Sequence, residues 1–124
     1  MILGVGIDMI EVERVAEKIG KEKGFRESVF SGNEINYCES KANKFEHYAA
    51  RFAAKEAFLK AAGTGWTSGS AFHEIEIMHN AKGQPELNLN GETHTTFQSL
   101  GIKKISVSIS HLKSIASAIV VIEN

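Results

Sequence analysis

The longest helical pattern in the chain runs from Ala42 to Ala62 and is closed by Gly63-Thr64-Gly65. It constrains the fold more than any other segment. At its heart lies Arg51-Phe52-Ala53-Ala54-Lys55-Glu56-Ala57-Phe58-Leu59-Lys60-Ala61, small and apolar residues interrupted by charge. Such a composition predicts a largely buried helix. Charge placed among Ala, Phe and Leu costs solvation unless it is paired or bound, so these positions invite a functional explanation.

The rest of the chain supplies elements to pack against that helix. Residues 2–9 form an apolar run containing Gly4 and Gly6, which reads as a buried strand. Val12, Val15, Ala16 and Ile19 make one helical stripe over 11–19, with Arg14, Lys18 and Lys21 opposite. Phe25 to Phe30 reads as a short helix. Ser31 and Glu34 have capping-box spacing for another helix reaching Glu39. After the glycines the period changes to two. Strands are expected at 74–78 and 86–90, joined as a hairpin by the turn Asn80 to Gly83, then at 105–109 and 116–122. A surface helix is expected at 92–100. The near-continuous apolar run 116–122 predicts a central strand needing cover on both faces. The reading is one α+β domain, 1–124, with a mainly antiparallel sheet packed against a long helix and several shorter ones.

Bulk properties exclude several classes. A net charge of −1 leaves no nucleic-acid footprint, and no apolar run approaches the ~20 residues of a membrane span. Met1-Ile2-Leu3-Gly4-Val5 is too short for a signal peptide, and a lone cysteine, Cys38, builds neither a disulfide framework nor a cysteine-rich zinc site. A cytoplasmic protein is the simplest expectation.

Glu56 and Lys60, spaced i,i+4, share a helix face with Phe52. The pair reads either as a helix-stabilising ion pair or as part of a site for an anion, since Arg51, Lys55 and Lys60 set three cations around one acid. Asp8, after Gly6-Ile7, reads either as the cap of the next helix or as a metal ligand. Gly4 and Gly6 permit close backbone approach, or mark a bulge. Gly63-Thr64-Gly65 reads either as a plain helix C-cap or as one whose free N–H groups also meet phosphate oxygens. Ser108-Ile109-Ser110-His111 lacks the spacing of a nucleophile and base, and the other histidines have no metal-ligand spacing. Arg14, Lys18 and Lys21 are either the wet face of a helix or a docking surface for an acidic partner.

In this order, Gly6-Ile7-Asp8, Arg14, the 52–61 motif, Gly63-Thr64-Gly65, Gly83-Gln84-Pro85 and Ser108-Ile109-Ser110-His111 resemble the holo-[acyl-carrier-protein] synthases, the small class of 4'-phosphopantetheinyl transferases. The resemblance covers nearly the whole chain. Phe72 departs from it, standing where the family often has tryptophan. It implies transfer of the phosphopantetheine arm of coenzyme A to a serine of apo acyl carrier protein, releasing adenosine 3',5'-bisphosphate. By the same resemblance Asp8 and Glu56 hold Mg²⁺, with Lys60 on the diphosphate. Arg51, Gly63, Thr64, Gly65, Pro85, Ser108, Ser110 and His111 line the coenzyme A site, and Arg14, Lys18 and Lys21 meet the carrier protein. The proton of the serine passes to a metal-bound water or to Glu56. The family assembles as trimers with sites between subunits. A different Mg²⁺-dependent phosphate hydrolase and a non-catalytic carrier-binding module are the competing readings.

Overall fold

A computed structural model describes residues 1–64 and 70–124. In chain order the elements are β1 (Ile2–Glu11), α1 (Val12–Lys21), α2 (Phe25–Val29), α3 (Gly32–Glu39), α4 (Lys44–Ala62) and a 3₁₀ turn, Phe72–Glu74. Then come β2 (Ile75–His79), β3 (Pro85–Leu89), α5 (Gly91–Phe97), a second 3₁₀ turn at Gln98–Leu100, β4 (Lys104–His111) and β5 (Ile115–Glu123). This is the expected α+β architecture. Its strands, however, form two antiparallel sheets: a three-stranded sheet in the order β1-β5-β4, and the separate hairpin β2-β3.

The apolar β5 is central, as its composition predicts, and α4 covers one face of its sheet. Ala116, Ala118, Val120 and Ile122 of β5 meet Ala49, Ala53, Ala57 and Phe58 of α4 in one core. Small residues along α4 let the sheet come close. The limit is reached at Gly4 and Gly6. A Cβ built on Gly6 would lie 1.9 Å from the carbonyl oxygen of Ala57, and one on Gly4 would lie 1.9 Å from that of Ala61. Only glycine leaves room for this contact. The register also slips between Ile2 and Gly4, so Gly4 adjoins a bulge as well, whereas Gly6 stays in register and serves the close approach only.

The opposite face of the three-stranded sheet is exposed. Val5, Ile7 and Met9 of β1 lie beside Val121, Ile119 and Ser117 of β5, and these beside Ser106, Ser108 and Ser110 of β4. Ile7 is 62% and Met9 65% exposed.

A second feature ties the hairpin and α3 to the long helix. Ser31 and Glu34 form the expected capping box, but the Glu34 carboxylate does more. Its Oε1 accepts from Ser31 N at 2.9 Å and from Lys55 Nζ at 2.7 Å, and its Oε2 accepts from Ile77 N at 3.0 Å. Lys55 Nζ also donates to the carbonyls of Phe72 and Ile75. Both side chains are fully buried. Burial pulls the Lys55 ammonium below its ordinary pKa, and Glu34 opposes that shift. Lys55 is therefore an internal tie of α4 to α3 and the hairpin, not part of an anion site. Removing one partner of such a pair strands the other without solvent. Lys55→Met should lower unfolding free energy by about 3–5 kcal/mol, whereas breaking the exposed Lys18–Glu22 pair should cost at most about 0.5 kcal/mol. Urea denaturation checks both, and a Lys55→Met loss no larger than the surface value would contradict the tie.

Candidate active site

Asp8 sits inside β1, which continues to Glu11, so it is a strand residue and not a helix cap. Strand alternation points it with Gly4 and Gly6 toward α4, and the glycine contacts bring β1 down onto Ala57 and Ala61. Glu56 and Lys60 flank those alanines on the helix. Lys60 Nζ donates to Asp8 Oδ1 at 3.0 Å and to the carbonyl of Ile7 at 2.9 Å. Glu56, half-buried, has its pKa raised by burial and then by the Asp8 charge, while Lys60 pulls it down. Two carboxylates repelling each other are what a cation would relieve, and the lysine between strand and helix adds a positive charge that an anionic group could share. Both donors are hard oxygens, a set that suits Mg²⁺, which takes one or two carboxylates and completes its shell with water and substrate phosphates. No group of three or more metal-ligating side chains occurs among the described residues.

Beside Glu56 lies a cleft of about 610 Å³ between α1, α2, α4 and the 3₁₀ turn. Phe25, Val29, Phe52 and Phe72 give it apolar walls, and Lys18 stands at its rim. Phe52 packs against Phe25 and Phe72 at centroid distances of 6.3 and 5.6 Å. Lys18 also lies 5.7 Å over the Phe25 ring. Arg14, Lys18 and Lys21 thus occupy one face of α1, next to the cleft that contains Glu56.

The residues expected at coenzyme A fall into separate groups. Arg51 is buried, one helical stripe away from Glu56 and Lys60, so the two do not share a face. Its guanidinium lies 4.2 Å from the centre of the Tyr37 ring, and Nη2 is 3.3 Å from His79 Nδ1. Its Nε has no hydrogen-bond partner among the described residues. His79 pairs across the hairpin with Pro85 and stacks on Tyr37 at 5.0 Å. Tyr37 meets His47 edge-on at 5.6 Å, and His47 meets His111 at 5.2 Å. His111 Nδ1 is 2.9 Å from Glu46 Oε1. Arg51, Pro85 and His111 are therefore gathered by an aromatic cluster whose other members, Tyr37, His47 and His79, sequence reading did not select. No local spacing connects them, because they come from α3, α4 and the hairpin.

Ser108 and Ser110 lie on the exposed face of β4, opposite to the α4 side where alternation places His111. Gly63 closes α4 in the left-handed conformation, with φ 78°, and Thr64 follows it. Gly65 lies outside the described residues. Along α4 the cluster around Glu46 and His47 is about 15 Å from Glu56 at the rise of a helix.

Comparisons with known proteins identify the family and the fold. The model of the 4'-phosphopantetheinyl transferase superfamily matches residues 4–120. The holo-[acyl-carrier-protein] synthase of Ruminiclostridium cellulolyticum is 50% identical over 121 residues, covering 95% of this chain and 90% of that protein. That of Solibacter usitatus is 43% identical over 125 residues, with 100% of both chains covered. Among solved structures, the Neisseria meningitidis synthase superposes with a TM-score of 0.90 at 31% identity, covering 100% of each chain. The Bacillus anthracis synthase in complex with CoA (3',5'-ADP) gives 0.81 at 35% identity, covering 98% of this chain and 96% of that one. The chain belongs to the 4'-phosphopantetheinyl transferase superfamily and is an enzyme of its holo-[acyl-carrier-protein] synthase type.

The histidine cluster carries a pH signature. Burial, and then neighbouring cations including Arg51, hold His79 below its ordinary pKa of 6.5. Burial, then His111 and Arg51, do the same for His47. As pH falls through 6.5 the unfolded chain takes up protons that the folded chain refuses, so stability is present at neutral pH and declines on acidification. The melting temperature should therefore fall between about pH 7.5 and pH 5.5, and His47→Gln with His79→Gln should flatten that fall. An unchanged slope in the double variant would contradict the assignment.

Proposed function

We propose that this enzyme transfers the 4'-phosphopantetheine arm of coenzyme A to a serine hydroxyl of apo acyl carrier protein, in a Mg²⁺-dependent reaction that releases adenosine 3',5'-bisphosphate. The observation that carries the reading is the convergence of Asp8, Glu56 and Lys60 where β1 crosses α4. The new bond joins the serine oxygen to the phosphorus bearing pantetheine. The bond from that phosphorus to the bridging oxygen breaks, and the charge left on the departing phosphate is what the site must stabilise.

Asp8 and Glu56 would hold Mg²⁺, whose part is to neutralise the diphosphate and the leaving phosphate. Lys60, a mobile point charge on a half-exposed stem, would follow the diphosphate as charge moves toward the leaving group. Glu56, or a water held at the metal, would receive the serine proton. Gly63 and Thr64 at the end of α4, with Gly65 beyond them, would offer N–H groups to the phosphates. The cleft beside Glu56 gives the carrier's serine a route to the diphosphate. Lys18 at its rim, with Arg14 and Lys21 along the same face of α1, would meet acidic residues of the carrier, chiefly raising the rate of encounter.

The coenzyme's nucleotide would lie against Arg51, Pro85, Ser108, Ser110 and His111, in a site shared between subunits of a homotrimer. Two features support that assembly. Ser108 and Ser110 share the exposed sheet face with Ile7, Met9 and Ile119, an apolar surface that a second copy would cover. The distance along α4 between the two groups fits residues that serve different sites. A cytoplasmic enzyme accords with these substrates, and no described helix is long and apolar enough to cross a membrane.

The test is the intact mass of purified apo acyl carrier protein after incubation with the enzyme, coenzyme A and Mg²⁺. A gain of about 340 Da, one phosphopantetheine, is expected, and it should vanish with EDTA and with Asp8→Asn or Glu56→Gln. No gain with several carriers would overturn the reading, and a gain indifferent to EDTA would remove the metal from it.

A further inference from the structure

We infer that Lys60 is the resident counter-cation of the Asp8–Glu56 pair, and that it makes binding of a divalent ion conditional on a phosphate-bearing ligand. This rests on the metal reading of the preceding section but goes beyond it. It concerns what the chain does when the ligand is absent.

The helix spacing predicts that Lys60 pairs with Glu56, one turn before it. The structure turns the ammonium the other way, onto β1, where it is held by two acceptors, Asp8 Oδ1 at 3.0 Å and the Ile7 carbonyl at 2.9 Å. The Asp8 side chain is only 17% exposed, so Lys60 replaces much of the water that would otherwise solvate the carboxylate. Lys60 itself is 54% exposed on a flexible four-carbon stem and can swing away without disturbing the core.

An incoming divalent ion must therefore bind a carboxylate that already has a cation on one of its oxygens, Oδ1, with a unit positive charge left a few ångströms away. The diphosphate changes that balance, because it offers the ammonium a stronger acceptor and draws it off Asp8. The ion and the diphosphate then favour each other's binding, and by linkage each raises the affinity for the other by the same factor. The free enzyme holds the ion weakly and acquires it together with its substrate.

Mn²⁺ titrated into the protein and read as free ion by electron paramagnetic resonance tests this without turnover. With no coenzyme A, the wild type should bind Mn²⁺ weakly, and Lys60→Met should bind it about tenfold more tightly, the scale of removing a unit charge from beside the site. Lys60→Arg, which keeps the charge, should stay as weak as the wild type. Asp8→Asn in the Lys60→Met background should abolish the gain. Thermal unfolding confirms that each variant is folded, and Lys60→Gln substitutes if Lys60→Met is not. A neutral variant that binds Mn²⁺ no more tightly than the wild type overturns the counter-cation role. If the wild type then still binds Mn²⁺ once coenzyme A is added, the metal site itself stands. Absence of Mn²⁺ binding in every variant, with and without coenzyme A, overturns both.

Discussion

The contact between β1 and α4 fixes how Asp8, Glu56 and Lys60 come together in this chain. Backbone meets backbone there, with Gly4 and Gly6 against the carbonyls of Ala61 and Ala57. Strand and helix cannot come this close through any other residue type, since a Cβ would occupy the carbonyl oxygen's position. The consequence runs outward from the contact. Alternation along β1 sends Asp8 to the same side as the glycines. The turn of α4 sets Glu56 and Lys60 on the stripe beside the alanines, each one residue before Ala57 or Ala61. Three charged groups thus come together at the edge of an apolar core, at positions fixed by rigid elements.

Charge in this small fold is divided between two separate uses, one stripe of α4 for each. Lys55 looks inward, spends its charge on Glu34 and on two carbonyls, and binds α3 and the hairpin to the helix. Lys60 looks toward β1 and solvent, and its pair with Asp8 is half-exposed on the lysine side. Their neighbours in sequence, Glu56 and Arg51, show the same division. Glu56 faces the cleft, and Arg51 is closed over by Tyr37 and His79. A buried pair is costly to break and therefore holds structure, whereas a half-exposed pair is cheap to exchange, as the proposed cation and diphosphate site would require.

Most of the fold was legible because its signals are local. The capping box at Ser31 and Glu34, the glycine stop after Ala62, and the period-two runs of the strands each depend on residues a few positions apart. What stayed hidden depends on partners far along the chain. Lys55 finds Glu34 across 21 positions, and Tyr37, His47, His79 and His111 meet from four different segments. The division of the strands into two sheets was hidden for the same reason. The opposed faces of β4 were readable in principle, since alternation alone separates Ser108 and Ser110 from His111, although those residues were first grouped by adjacency. Asp8 and Glu56 were legible only as a combination, because each has an ordinary explanation by itself.

The central claim is that close packing of β1 on α4 builds one cation site from Asp8 and Glu56 of a single chain. Anomalous diffraction from crystals grown with Mn²⁺ and coenzyme A would locate the ion directly. The account predicts one Mn²⁺ coordinated by both carboxylates of the same subunit, next to the diphosphate. An ion bound away from either carboxylate, or bridged by Asp8 of one subunit and Glu56 of another, would contradict it.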